Sequence, residues 1–160
     1  MQVQKITPFL WFDNNAEEAM NFYVSVFKNS QVLDINHSGK AGPGDEGTVM
    51  TVYFELDGVR FVGLNGGPMF SFSEAISFWV YCDTQEEIDD LWGKLTVGGG
   101  EPGKCGWLKD KFVLSWQLVP SILLELLNDK DPVKRDKVLK AVWQMEKLDM
   151  RKLQKAAANR

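Results

Sequence analysis

Apolar and polar positions alternate along this chain and then shift to a helical period, and they do so twice. Phe9 to Phe22 and Trp79 to Trp92, about seventy residues apart, each run from an apolar strand through an aspartate (Asp13, Asp83) into an acid-rich amphipathic helix. A strand-to-helix unit repeated in a short chain implies paired modules, because neither copy can bury its sheet face alone.

The same pattern places the remaining elements. Residues 6–12 predict a strand, with Asp13 or Asn15 capping a helix to about Phe27 whose first turn holds Glu17 and Glu18. Residues 31–37 predict a second strand. Gly39 to Gly47, with four glycines and Pro43, must be a loop, either over a cleft or as an ordinary hairpin connection. Met50–Leu56 and Val59–Leu64 form a hairpin through Asp57-Gly58. Gly66-Gly67-Pro68 opens a linker. Residues 76–82 then predict a strand and Thr84 to Leu95 a helix, ended by Gly98-Gly99-Gly100. Strands at Gly103–Trp107 and Val113–Val119 stop at Pro120. Beyond it, the leucines of Ile122–Leu127 suit a helical turn, Asp131-Pro132 starts a longer helix, and Asp149 caps a last one. The reading is an α+β fold of two βαβββ modules, about 5–66 and 76–120, forming one domain over 1–120 as a curved, barrel-like mixed sheet. Residues 121–160 form a C-terminal helical extension.

Strand parity divides the sheet into two faces. Pro8, Leu10, Phe12, Val62, Leu64, Phe78, Val80, Cys82, Trp116 and Leu118 are nearly all apolar and predict the face under the helices. The opposite set mixes rings with hydroxyls and amides: Thr7, Phe9, Trp11, Phe61, Gly63, Asn65, Ser77, Trp79, Tyr81, Ser115, Gln117 and Val119. Such a face suits a ligand pocket, with apolar walls and a few orienting polar groups. A filled barrel core or a dimer interface would favour the same rings.

Charge refines the picture. Residues 1–129 carry 8 basic and 18 acidic side chains and residues 130–160 carry 10 and 4, so a net −10 body faces a net +6 tail. The tail's charges are interleaved with Val138, Leu139, Val142, Trp143, Met145 and Leu148 at helical spacing, which points to docking on its own or a partner subunit and away from nucleic acid. No apolar run reaches the roughly 20 residues of a membrane helix. Met1 to Lys5 lacks the regions of a signal peptide, so a cytoplasmic protein is expected. Cys82 and Cys105 have no paired spacing and are expected to be reduced.

Several stretches carry a family likeness. The run Ile6 to Phe12, then Ala16-Glu17-Glu18-Ala19 with Phe22-Tyr23, Leu64 to Pro68, and Cys105-Gly106-Trp107 through Ser115-Trp116-Gln117 resemble the PhnB-like branch of the vicinal oxygen chelate superfamily. That superfamily includes glyoxalases, bleomycin-resistance proteins and extradiol dioxygenases, and this branch is often labelled a demethylubiquinone methyltransferase-like domain. The likeness covers residues 5–120, and the long C-terminal helix is similar to theirs as well. It implies the glyoxalase/bleomycin-resistance fold and a homodimer. Val113 stands where that branch places a hairpin glycine, and a β-branched residue resists positive φ.

In metal-using members of the superfamily, four strand positions converge His and Glu on a divalent cation. The likeness places those positions here at Thr7, Gly63, Ser77 and Gln117, which offer no charge to offset an ion's desolvation. The only histidine, His37, lies on another strand. No metal site and no cofactor are therefore expected. Cys105 reads as a structural thiol that borders the cleft, and Glu125 sits beyond the last strand. The expected ligand-binding set is Thr7, Phe9, Trp11, Phe61, Asn65, Ser77, Trp79, Cys105 and Gln117, with catalytic residues unassigned. Three functions remain open: binding of a small organic molecule in an aromatic cleft, a lyase or isomerase with non-standard metal ligands, and S-adenosylmethionine-dependent methyl transfer. The last lacks a glycine-rich turn after the first strand, where Asp13-Asn14-Asn15 stands.

Overall fold

The computed structural model describes residues 4–42 and 44–158. The chain divides into two compact units, Met1–Phe72 and Ser73–Arg160.

The first unit holds β1 (Phe9–Phe12), α1 (Ala16–Val26), β2 (Gln31–His37), β3 (Val49–Leu56) and β4 (Val59–Asn65). Its sheet runs β1-β4-β3-β2, with β1 parallel to β4 and the other pairs antiparallel. The second unit repeats the plan with β5 (Phe78–Cys82), α2 (Gln85–Thr96), β6 (Glu101–Pro102), β7 (Trp107–Lys109) and β8 (Ser115–Pro120), in the order β5-β8-β7-β6. The fold is thus α+β, with two four-stranded mixed sheets. The C-terminal helices α3 (Ile122–Leu127), α4 (Pro132–Trp143) and α5 (Met150–Ala158) belong to the second unit.

Local chemistry explains the boundaries. Asp57 and Gly58 both take positive φ, 45° and 80°, the pair of left-handed conformations that matches a two-residue turn to the twist of β3 and β4. Thr84 caps α2 by accepting from Glu87 N–H at 3.2 Å, while the Glu87 carboxylate accepts from Asp83 N–H at 2.9 Å. Asp131 accepts from Val133 N–H and Pro132 fills the first turn of α4. Asp149 caps α5 through Lys152 N–H at 3.0 Å.

Several boundaries and one face differ from the sequence reading. Strands β1 and β5 begin later than residues 6 and 76. Gly103–Gly106 is a turn between β6 and β7, not part of a strand: Gly103 N–H bonds to Trp107 O at 2.8 Å, and Cys105 and Gly106 both take positive φ. Val113 precedes β8 at φ 68°, so the hairpin keeps a glycine-like conformation without glycine.

The larger correction concerns β4. The Asp57-Gly58 turn pairs Leu56 with Val59, and alternation from there pairs Phe54 with Phe61 and Val52 with Gly63. Phe54 and Val52 are fully buried, and Phe54 stacks near Tyr23 of α1. Phe61, Gly63 and Asn65 therefore share the helix-facing side, and Val62 and Leu64 share the open side with Phe9 and Trp11. Glycine at 63 is required by close approach: an added Cβ would sit 2.8 Å from Val52 Cγ2 and 3.5 Å from Ala16 Cβ. For β5 and β8 the expected parity holds, with Cys82, Trp116 and Leu118 buried and Trp79 and Tyr81 about half exposed.

The tail docks on its own unit. Val138, Val142, Met145, Leu148 and Leu153 form one core with Val119 and Leu123, while Trp143 of the expected stripe stays exposed. Gln85 of α2 clamps this extension, donating to Leu148 O and accepting from Met150 N–H at 2.9 Å.

Candidate functional site

The open face of the second sheet carries the densest chemistry. Cross-strand register sets Trp79 beside Gln117 and Gln117 beside Trp107, an amide flanked by two indoles. The Trp79 ring lies 5.9 Å from that of Tyr81, and both project from the sheet. Gln117 Nε2 donates to Ser77 Oγ at 2.8 Å, which fixes the carboxamide's orientation. One row along, Ser115 pairs with Lys109 and Lys109 with Glu101.

A cleft of about 460 Å³ opens here, lined by Trp107, Lys109, Ser115, Cys105, Glu74 and Glu101 among others. The Lys109 ammonium lies 2.8 Å from Glu74 and 3.6 Å from Glu101. That partnership holds the Glu74 carboxyl below the usual carboxylate range and raises the Lys109 ammonium. Lys104 is matched by Glu146 at 2.8 Å. The thiol of Cys82, on the buried face, is pushed up to about 12 by burial and then by Glu87 and Asp83, which makes it inert as a nucleophile.

In the first unit a second cleft of about 430 Å³ is bordered by Thr7, Asp34, Tyr53, Arg60, Phe61 and Val62. Thr7 donates to Gln4 O at 3.0 Å. Phe9 is exposed. Trp11 is anchored: its Nε1 donates to Gly67 O at 2.8 Å, its ring meets Phe70 edge-on at 5.0 Å, and a Cβ on Gly66 would fall 2.3 Å from it. Phe61 stacks on Phe54 with centroids 5.4 Å apart. Both ends of the Asn65 carboxamide are occupied, by Ala16 N–H at 2.8 Å and by Val49 O at 3.0 Å.

The expected residues thus fall into groups. Ser77, Trp79 and Gln117 share one face, with Cys105 bordering its cleft. Phe61 and Asn65 lie under α1. Trp107 and Lys109 were missed because the misplaced strand at 103–107 hid the parity of β7, and Glu74 because it lies in the linker before β5, where strand parity does not apply. Register also replaces Gly63 by Val62 as the twin of Gln117, since Phe9 pairs with Val62 as Trp79 pairs with Gln117. Among the described residues no three His, Cys, Asp or Glu side chains cluster closely enough to hold a metal. Ser77 and Gln117 are uncharged and bonded to each other, and valine has no donor. Ser77 and Gln117 therefore supply no charge to offset a divalent ion's desolvation.

A family model described as 3-demethylubiquinone-9 3-methyltransferase matches residues 4–119, so α3 to α5 lie outside it. The PhnB protein from Bacillus cereus is 41% identical, covering 74% of this chain and 100% of its own, with a TM-score of 0.67. Protein PA1353 from Pseudomonas aeruginosa is 18% identical over 74% of this chain and 98% of its own, with a TM-score of 0.62. The fosfomycin resistance protein FosX from Mesorhizobium loti is 13% identical over 81% and 100%, with a TM-score of 0.56. These last two share the fold. No curated protein matches the chain.

Proposed function

This chain belongs to the 3-demethylubiquinone-9 3-methyltransferase family, in the PhnB-like branch of the vicinal oxygen chelate superfamily, and on that premise we propose that it binds a small organic molecule on the open face of its second sheet. The observation that carries this reading is the row Trp79, Gln117, Trp107, where two indoles flank an oriented amide beside a cleft of about 460 Å³. Indole faces supply apolar area, at about 25 cal/mol per Å² before ordering costs, and the amide and hydroxyls select orientation. No resident metal is part of the proposal, because the donors at the superfamily's ligand positions are neutral or absent.

Methyl transfer, to which the family's name refers, receives less support from this chain. Binding of S-adenosylmethionine on a doubly wound sheet uses a glycine-rich turn at a helix N-terminus. Here the turn is Asp13-Asn14-Asn15, the first N–H of α1 is already taken by Asn65, and the sheets are mixed. An enzyme with non-standard metal ligands would need charged donors that the Ser77–Gln117 pair does not supply.

The test is a titration with aromatic fragments followed by calorimetry. Trp79→Ala and Trp107→Ala are each expected to weaken the best fragment about tenfold, the loss of one ring face. Unchanged affinity in both variants would remove the site from this face. Dialysis against zinc, manganese and nickel is expected to leave no stoichiometric metal on the protein.

A further inference from the structure

We propose that Ser115 is the polar anchor of this cleft and that the guest is an uncharged, planar molecule bearing a hydroxyl or carbonyl oxygen. The proposal rests on the reading of the second sheet as the binding face and names what that face selects.

Ser115 is 1% exposed, and its hydroxyl has no hydrogen-bond partner. Buried hydroxyls are paired in nearly all folded proteins, since an unpaired one forfeits its bonds to water and receives nothing in return. The serine stands on a strand whose neighbouring positions are Leu114 and Trp116, both buried, so an alanine would pack there without that cost. Its register partner is Lys109, and it lines the cleft together with Trp107 and Cys105. The partner that the fold withholds is therefore assigned to the guest.

The surroundings define the rest of the molecule. Lys109 is already answered by Glu74 and Glu101, and Lys104 by Glu146, so a guest with a net charge must break an existing pair without gaining a free counter-charge. An uncharged oxygen has no such conflict. It accepts from the Ser115 hydroxyl, and a guest hydroxyl also donates to Ser115, with the Lys109 pairs left in place. Trp107 offers the apolar wall for a flat ring.

Three para-substituted toluenes separate these features: 4-methylphenol, its near-isostere para-xylene, and 4-methylbenzoate, each titrated into the full chain while the indole N–H resonances of Trp79 and Trp107 are followed by NMR. Wild type is expected to prefer 4-methylphenol over para-xylene by about tenfold, with the benzoate weakest. In Ser115→Ala that preference should fall to near parity, while the ligand-free variant melts a few degrees higher than wild type because an unpaired polar group has been removed. Equal binding of phenol and xylene by wild type, an undiminished preference in the variant, a lowered melting temperature, or the benzoate as the tightest probe would each overturn the role of Ser115 and leave the binding face standing. If none of the three probes moved either resonance, the binding face itself would fail, and this assignment with it.

Discussion

At the scale of single residues, the turn before β8 shows how a strained position is held. Val113 lies at φ 68°, a region that costs an ordinary side chain about 1–2 kcal/mol and a β-branched one at least that. The neighbouring Asp110 over-determines the turn: its Oδ1 accepts from Phe112 N–H at 2.8 Å and Leu114 N–H at 3.1 Å, and its Oδ2 from Trp116 Nε1 at 2.8 Å. Val113→Gly should therefore stabilise the protein by roughly 0.5–1 kcal/mol in urea unfolding, the relief of strain less the extra freedom glycine gives the unfolded chain. A destabilised variant would mean that the Val113 side chain contributes packing larger than its strain. The conflict at this residue was visible in the sequence, because a β-branched residue stood in a glycine's place. Its resolution was not, since that depends on three donors meeting one buried carboxylate.

At the scale of elements, α1 shows where sequence reasoning stopped. Asp13 and Asn15 were the local candidates for its cap, yet Asn15 makes no side-chain cap bond and the first N–H goes to Asn65, at the end of β4. A cap supplied across 49 positions follows from the parallel pairing of β1 with β4, which no local pattern encodes. Asn65→Ala loses this bond and the one to Val49 O, and should cost about 1–2 kcal/mol in the same unfolding measurement. A cost near zero would show that α1 holds its position without the cap. Face assignment on β4 failed for a related reason: Val62 and Leu64 look like core, and Gly63 and Asn65 look like cleft. Beneath the helix, the Val52 side chain of β3 closely crowds position 63, where glycine fits, and the aliphatic pair faces outward. The Asp57-Gly58 hairpin, the start of α2 near Thr84 and the Pro132 start were legible because each is decided within a few residues.

For the whole molecule, the duplication along the chain reappears as two units with one topology, and the basic tail as a set of helices packed on the second unit. Among the described residues no helix is long and apolar enough to cross a membrane. The charge split between body and tail becomes local ion pairs, of which Lys147 with Asp89 at 2.6 Å joins the segment between α4 and α5 to α2. Hydrogen bonds from Lys147 and Gln85 hold the Asp89 carboxyl below the usual carboxylate range. A carboxyl lowered in this way stabilises the fold above its unfolded pKa of about 4 and loses that contribution as pH falls through its folded value. Lys147→Met should accordingly melt below wild type at neutral pH, and the two curves should converge towards about pH 3; a gap that persists in acid would assign the effect to packing instead. The central claim concerns the open side of the second sheet. The most direct measurement is a crystal structure of the protein with its tightest aromatic fragment. The account predicts the ring against the indoles of Trp79 and Trp107, with a polar atom on Gln117 or Ser115. A fragment bound elsewhere, or a metal ion coordinated between Ser77 and Gln117, would contradict it.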